Sequence, residues 1–142
     1  MNERGPIVTL DGPAGSGKST TAREVAGRLG FRHLDSGGLY RAITLALLRS
    51  GIPEAEWSSL SEADMRGLDV NVAPTATTFG IVVGGEVVTD ALRTPEVTSR
   101  VARLASLPAA RACLLTLQRA AGVHGSLVAD GRDMGSVVFP EA

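Results

Sequence analysis

Gly12-Pro13-Ala14-Gly15-Ser16-Gly17-Lys18-Ser19 is the stretch on which the fold turns. The octet fits G-x-x-x-x-G-K-[ST], and its flanks are those the pattern requires. Before it stands Ile7-Val8-Thr9-Leu10, a β-branched apolar run that reads as a strand buried on both faces and ending at Asp11. After it, Ala22, Val25, Ala26 and Leu29 recur at helical spacing as far as Gly30, a residue suited to a helix C-cap. In a strand, turn and helix of this kind the glycines let the backbone curl so that successive N–H groups aim at phosphate oxygens. The helix N-terminus adds positive potential there. Lys18 then reaches β- and γ-phosphate oxygens, and the Ser19 hydroxyl suits Mg2+. The competing reading is a chance glycine-rich turn, but a random chain of this length matches the octet in roughly 1% of cases or fewer.

The 142 residues suffice for one compact core, and 44% hydrophobic with 20% charged residues excludes a disordered tail. Fourteen basic and 15 acidic residues leave a formal charge of −1. No field neutralises a nucleic-acid backbone or an anionic membrane, so neither partner is expected and phosphate must be bound locally. All the basic residues are arginine except Lys18, which sits inside the octet. A single cysteine, Cys113, excludes an intrachain disulfide and reads as a small buried residue in a reducing compartment. Met1-Asn2-Glu3-Arg4 runs straight into the first strand, leaving no room for a signal peptide, and no apolar run approaches a membrane span. A cytoplasmic location is expected.

Further along, Phe31 to Leu34 reads as a second strand ending at Asp35, and Leu39, Ile43, Ala46 and Leu47 mark a helix that stops at Gly51. This β-α-β-α order argues for a parallel sheet covered by helices, with ligands at the carboxyl ends of the strands. Leu68 to Asp90 differs: Val70 and Val72, then Phe79, Ile81 and Val83, then Val87 alternate around Gly84-Gly85, which predicts antiparallel strands and a tight hairpin. Thr94 caps the next helix, with Pro95 at its first position and Val97, Val101 and Leu104 on one face. Pro108 opens another that ends near Gly122. Leu127-Val128-Ala129-Asp130 resumes the α/β pattern as a strand that delivers an acid. No internal repeat or low-complexity tract interrupts the chain.

A phosphate loop alone leaves GTPases, ATP-driven machines and small-molecule kinases open. The common guanine-reading segment Asn-Lys-x-Asp needs a second lysine, and there is none. Asp35-Ser36-Gly37-Gly38-Leu39-Tyr40-Arg41 and Asp130-Gly131-Arg132-Asp133 both fall at strand carboxyl ends. A guanidinium takes two phosphate oxygens at once, which suits Arg41 and Arg132 for a second, phosphate-bearing substrate. Asp130 is placed like an acid that supports Mg2+. The bland alternatives are a solvated arginine on a helix face and a turn or cap acid.

GPAGSGKST, LDSGGLYRA, the stretch from Pro108 and Arg111 through Gln118-Arg119, and ADGRDMGSVVFPEA together resemble the bacterial cytidylate (CMP/dCMP) kinase family in order and spacing. The last segment is the most specific, because other nucleoside monophosphate kinases share the phosphate loop and lack it. The resemblance implies an α/β P-loop nucleoside monophosphate kinase fold, a parallel sheet with flanking helices, incomplete at the C-terminus. The partial core would be residues 1–67 and 126–142, and residues 68–125 a small antiparallel β plus helix insert for CMP binding. It implies ATP phosphate binding by Gly12, Pro13, Ala14, Gly15, Ser16, Gly17, Lys18, Ser19 and Thr20, with Mg2+ at Ser19 and Asp130. Acceptor binding would fall to Ser36, Tyr40, Arg41, Arg111, Arg132 and Asp133, and catalysis to Lys18, Arg41 and Arg132. The family's serine six residues before the Pro108-x-x-Arg111 segment is Ala102 in this chain. The missing hydrogen bond is worth on the order of 1 kcal/mol and relaxes base selectivity.

The activity implied is transfer of the ATP γ-phosphoryl group to CMP or dCMP, with no covalent intermediate and no role for His33 or His124 beyond surface or packing. The alternatives are a kinase for another nucleoside monophosphate or a sugar, and a non-catalytic P-loop fragment that only binds nucleotide. Family members run about half as long again and carry a mobile arginine-bearing lid after the FPEA-like segment. In that fold the first strand is central, so Ile7–Leu10 is expected at an unpaired edge here, open to self-association and poor solubility in a protein otherwise expected to be monomeric.

Overall fold

The computed structural model describes residues 5–13 and 16–142. Residue contacts divide the chain into two compact units, one of residues 1–36, 74–79 and 118–142, the other of residues 37–73 and 80–117. No described helix is long and apolar enough to cross a membrane.

The first unit is a parallel three-stranded sheet in the order β1-β6-β2 with helices around it. β1 (Ile7–Asp11), α1 (Lys18–Leu29), β2 (Arg32–Asp35) and β6 (Leu127–Gly131) build it. The register sets Leu10 beside Asp130 and Asp11 beside Gly131 on one side of β6, and Asp35 beside Asp130 on the other. Every residue of β6 is buried, as expected of a strand paired on both edges. β1 departs from its expected two-sided burial: only Ile7 is buried, Val8, Thr9 and Leu10 are half-buried and Asp11 is exposed. The reason is its place at the end of the sheet. Among the described residues β1 pairs with β6 alone, the expected edge position.

The outer edge of β2 is covered. The His33 N–H donates to the Thr77 carbonyl (3.1 Å), the Thr78 hydroxyl donates to the His33 carbonyl (2.8 Å), and the Arg32 guanidinium donates to the Thr75 carbonyl (2.6 Å). Ala22 and Ala26 of α1 pack on Val128, with Val8, Leu10, Val25 and Phe31 around them. Small alanines are what allow the helix to lie close to the sheet. After β6 the chain makes a π-helical turn, Met134–Val138, which the sequence reading does not foresee.

In the second unit, α2 (Ser36–Arg49) begins at Ser36 in the first unit and continues as a buried helix, with every residue from Ala42 to Leu47 inside. Trp57, on a 3-10 turn at Glu54–Ser59, is fully buried and its indole N–H donates to the Ile52 carbonyl (3.0 Å). Ser61 and Asp64 form a reciprocal capping box on α3 (Glu62–Arg66). β3 (Val70–Pro74), β4 (Phe79–Val83) and β5 (Glu86–Val88) form the small sheet. The predicted hairpin is there: β4 and β5 are antiparallel with Val83 opposite Glu86. Gly84 (φ 59°) and Gly85 (φ 82°) take the two left-handed positions that a two-residue turn of this type requires.

The helix read from Pro95 onward is in fact two, α4 (Pro95–Thr98) and α5 (Val101–Ala105). Thr94 caps the first through the Val97 N–H, as expected. Ser99 turns its hydroxyl back onto the Glu96 carbonyl (3.1 Å), the local competition by which serine weakens a helix. α6 (Pro108–Ala121) runs as predicted. Cys113 on it is a buried free cysteine. Burial, reinforced by Glu62 and opposed by Arg66, raises its thiol pKa and keeps it protonated.

Candidate phosphate-binding site

Parallel strands put their carboxyl ends on one side of the sheet, and β1 and β6 each bring an aspartate there. Asp130 is 1% exposed. One oxygen, Oδ2, accepts the hydroxyl of Ser19 at 2.7 Å, joining the last residue of the glycine-rich octet to an acid 111 residues away. The other, Oδ1, lies 2.5 Å from Nε2 of His33. Burial by itself raises the Asp130 pKa. The hydrogen bonds from His33 and Ser19, with the charges of His33 and Lys18, outweigh it and hold the carboxyl below the ordinary aspartate range. An ionised carboxylate only accepts, so Nε2 of His33 carries the donated proton. His33, read from sequence as a surface or packing residue, is thus buried against the acid of the site.

Gly17 is the left-handed N-cap of α1 (φ 83°). The Lys18 ammonium donates to the Pro13 carbonyl at 3.2 Å, curled over the loop it belongs to. Gly12 donates its N–H to the Gly131 carbonyl (3.2 Å), tying the loop to the end of β6. Of the nine residues expected at ATP phosphates, Ala14 and Gly15 lie outside the described residues; Ser16 and Thr20 are exposed.

Asp11 was not singled out in the sequence. Its carboxylate accepts the N–H groups of Met134 (2.5 Å) and Gly135 (3.1 Å) and so holds the π-helical turn. An acid directly before the octet was the available signal. Gln118 was likewise unassigned. It is buried and its amide donates to Ser36 Oγ (2.8 Å), which donates in turn to the Met134 sulfur (3.4 Å). Ser36, expected at the acceptor nucleotide, is therefore a buried member of this set. A Cβ on Gly131 would come within 3.0 Å of both the Ser36 side chain and the Met134 sulfur.

Arg132 and Asp133 are exposed, Asp133 with a left-handed backbone (φ 56°) at the entry to the turn. In the second unit Arg41 is partly buried, and its guanidinium donates to the Leu92 carbonyl (3.1 Å) and the Thr98 hydroxyl (2.9 Å). Tyr40 is half-buried; Arg111 and Ala102 are exposed. His124 is exposed and contributes its carbonyl to the Gly5 N–H (3.0 Å).

Strand, glycine-rich turn and helix, with an acid from the neighbouring strand on the hydroxyl of the turn, define a P-loop protein of the parallel α/β class. The family model described as cytidylate kinase matches residues 8–142, and the chain belongs to that family. It is 45% identical over its whole length to a bifunctional pantoate ligase/cytidylate kinase of Synechocystis sp., covering 28% of that protein. It is 42% identical to a cytidylate kinase of Symbiobacterium thermophilum over 96% of this chain and 60% of the relative. A cytidylate kinase of Exiguobacterium sibiricum is also 42% identical, over 95% of this chain and 60% of its own length. The chain thus spans 60% of the cytidylate kinases it matches and 28% of the bifunctional protein.

Proposed function

We propose that the protein transfers the γ-phosphoryl group of ATP to the phosphate of CMP or dCMP. The observation that carries the reading is the 2.7 Å hydrogen bond between Ser19 and Asp130, which makes the octet and the acid of β6 one site. The acceptor is taken from the family and from the relatives' names. In the reaction an oxygen of the acceptor phosphate forms a bond to the γ-phosphorus, and the bond to the β-bridging oxygen breaks, releasing ADP. The acceptor oxygen is already ionised, so no general base is needed and neither histidine takes a proton.

What the protein supplies is position and charge. The N–H groups of the loop and the α1 N-terminus bind the ATP phosphates, and Lys18 neutralises charge on the β- and γ-oxygens. Ser19 and Asp130 would hold Mg2+. A hydroxyl and a carboxylate 2.7 Å apart form a hard oxygen pair of the kind this ion takes alongside water and phosphate oxygens. When bound, the ion offsets the negative charge of the polyphosphate. Arg132 and Arg41 are assigned to the acceptor phosphate, and Ser36, Tyr40, Arg111 and Asp133 to positioning the acceptor nucleotide. Ala102 offers no hydroxyl to the base, which favours a broader choice among pyrimidines.

The test is ADP release with CMP, dCMP, UMP and AMP compared as acceptors. CMP and dCMP should be preferred, and equal or preferential use of AMP rejects the reading. Nucleotide binding without turnover on any acceptor would reduce it to nucleotide binding alone. Lys18→Met, which keeps the length of the side chain and removes its charge, should lower transfer by about 10²–10³.

A further inference from the structure

His33 is a polar residue inside the first unit, 5% exposed, for which the proposed reaction has no use. Its position is nonetheless over-determined. The backbone of residue 33 is held on the Thr77–Thr78 side by the bonds that cover the edge of β2, one from its N–H and one to its carbonyl. On the other side β2 pairs with β6, with His33 in register with Val128 and Asp35 with Asp130. His33 therefore lies on the same face as Asp130, two residues along the strand, within reach of its carboxylate. The ring uses that reach: Nε2 meets Oδ1, and Oδ2 is left to Ser19.

A carboxylate with one partner rotates about its terminal torsion, a broad and soft degree of freedom. One with two partners on different oxygens does not. We infer that His33 is a positioning residue, its imidazole N–H holding Oδ1 of Asp130 so that Oδ2 stays beside Ser19, where the divalent cation of the nucleotide is to be held. The inference rests on the ATP reading proposed above. Residues that orient a metal-binding group in this way typically change metal affinity by about 10–100-fold when removed. His33 also lines a cavity of about 360 Å3 with Arg23, Phe31 and Thr78. A smaller residue at 33 would extend that cavity toward Asp130 and admit water to the carboxylate.

The experiment is ATP binding by calorimetry, in EDTA and across a Mg2+ series, for the unmodified chain, His33→Leu and His33→Gln. Leu fills much of the space without a donor; Gln keeps an N–H. His33→Leu should raise the Mg2+ concentration that half-maximally enhances ATP binding by about tenfold or more, with affinity in EDTA unchanged. His33→Gln should recover most of the loss. An unaltered Mg2+ dependence in His33→Leu overturns the inference. So does an equal loss in EDTA, or a Gln variant as impaired as Leu. A second measurement needs no variant at this position: 15N NMR of the imidazole should show Nε2 protonated, and a ring protonated only on Nδ1 overturns the assignment. If the unmodified chain binds no ATP in either condition, it is the ATP reading that fails. If it binds ATP with a Mg2+ effect that His33→Leu leaves intact, only the positioning role fails.

Discussion

The carboxyl ends of β1 and β6 lie side by side, each closing an apolar strand with an aspartate, and the two acids do different work. Asp130 is buried on the central strand and, among the described residues, its carboxylate meets the side chains of Ser19 and His33. Asp11 ends the edge strand, is exposed, and among the described residues its carboxylate accepts from backbone, the N–H groups of Met134 and Gly135. Burial raises the electrostatic stakes at Asp130, because an ionised carboxylate removed from water must be matched by donors and charge. At the rim water supplies the same service, so Asp11 is free to be spent on holding a turn. Identical residue types one register position apart thus divide into a carboxylate held by side chains and a carboxylate that holds a turn.

Removing each carboxylate in turn separates the two roles. Asp130→Ala should lower Mg2+-dependent phosphoryl transfer by about 10²–10³, the usual loss when a preorganised charge contact goes. Asp11→Ala should leave the Mg2+ dependence of ATP binding intact. If steady-state kinetics and calorimetry show both variants failing alike, the division between the two acids is wrong.

Gly131 follows Asp130 in the chain and is the register partner of Asp11. Gly131→Ala would push a methyl group to 3.0 Å from Ser36 and the Met134 sulfur, an overpacking expected to cost about 1–3 kcal/mol in chemical denaturation. A neutral result would mean that the buried set of Ser36, Gln118 and Met134 is loosely packed. Asp11→Ala should cost about 1–2 kcal/mol by the same measurement, with faster hydrogen exchange at Met134 and Gly135, whose N–H groups lose their acceptor.

The smallest effect is in acid. The folded-state pKa of Asp130 lies below the unfolded value of about 3.9. Its contribution to stability is therefore complete above that value and is lost as pH falls through the folded one. The stability difference between the unmodified chain and Asp130→Asn should shrink below about pH 4 and stay flat above it. A difference that grows on acidification would contradict the depressed pKa.

Much of the fold is legible in local pattern. The octet, the helix opened by Pro108, the Thr94 cap and the Gly84-Gly85 hairpin all follow from spacing and from residues with narrow conformational preferences. Where the pattern misled, a longer-range effect or a side-chain competitor was responsible. Ile7–Leu10 has the composition of a strand covered on both faces, but coverage depends on neighbours in the sheet, and among the described residues β1 has one. The run from Pro95 to Leu104 keeps its apolar face yet breaks between Thr98 and Val101, where Ser99 bonds back to the chain.

Amino-acid order alone places a glycine-rich octet between a strand and a helix, puts an acid after an apolar strand late in the chain, and carries the motifs by which the family is recognised. What those groups touch follows from the folded chain. Ser19 and Asp130 are 111 residues apart, His33 and Asp130 are 97 apart, and Asp11 and Met134 are 123 apart. No periodicity reaches that far; parallel pairing of β1 and β2 on β6 is what brings them together. That register gave the buried histidine its partner and sent two aspartates of similar sequence setting to different tasks.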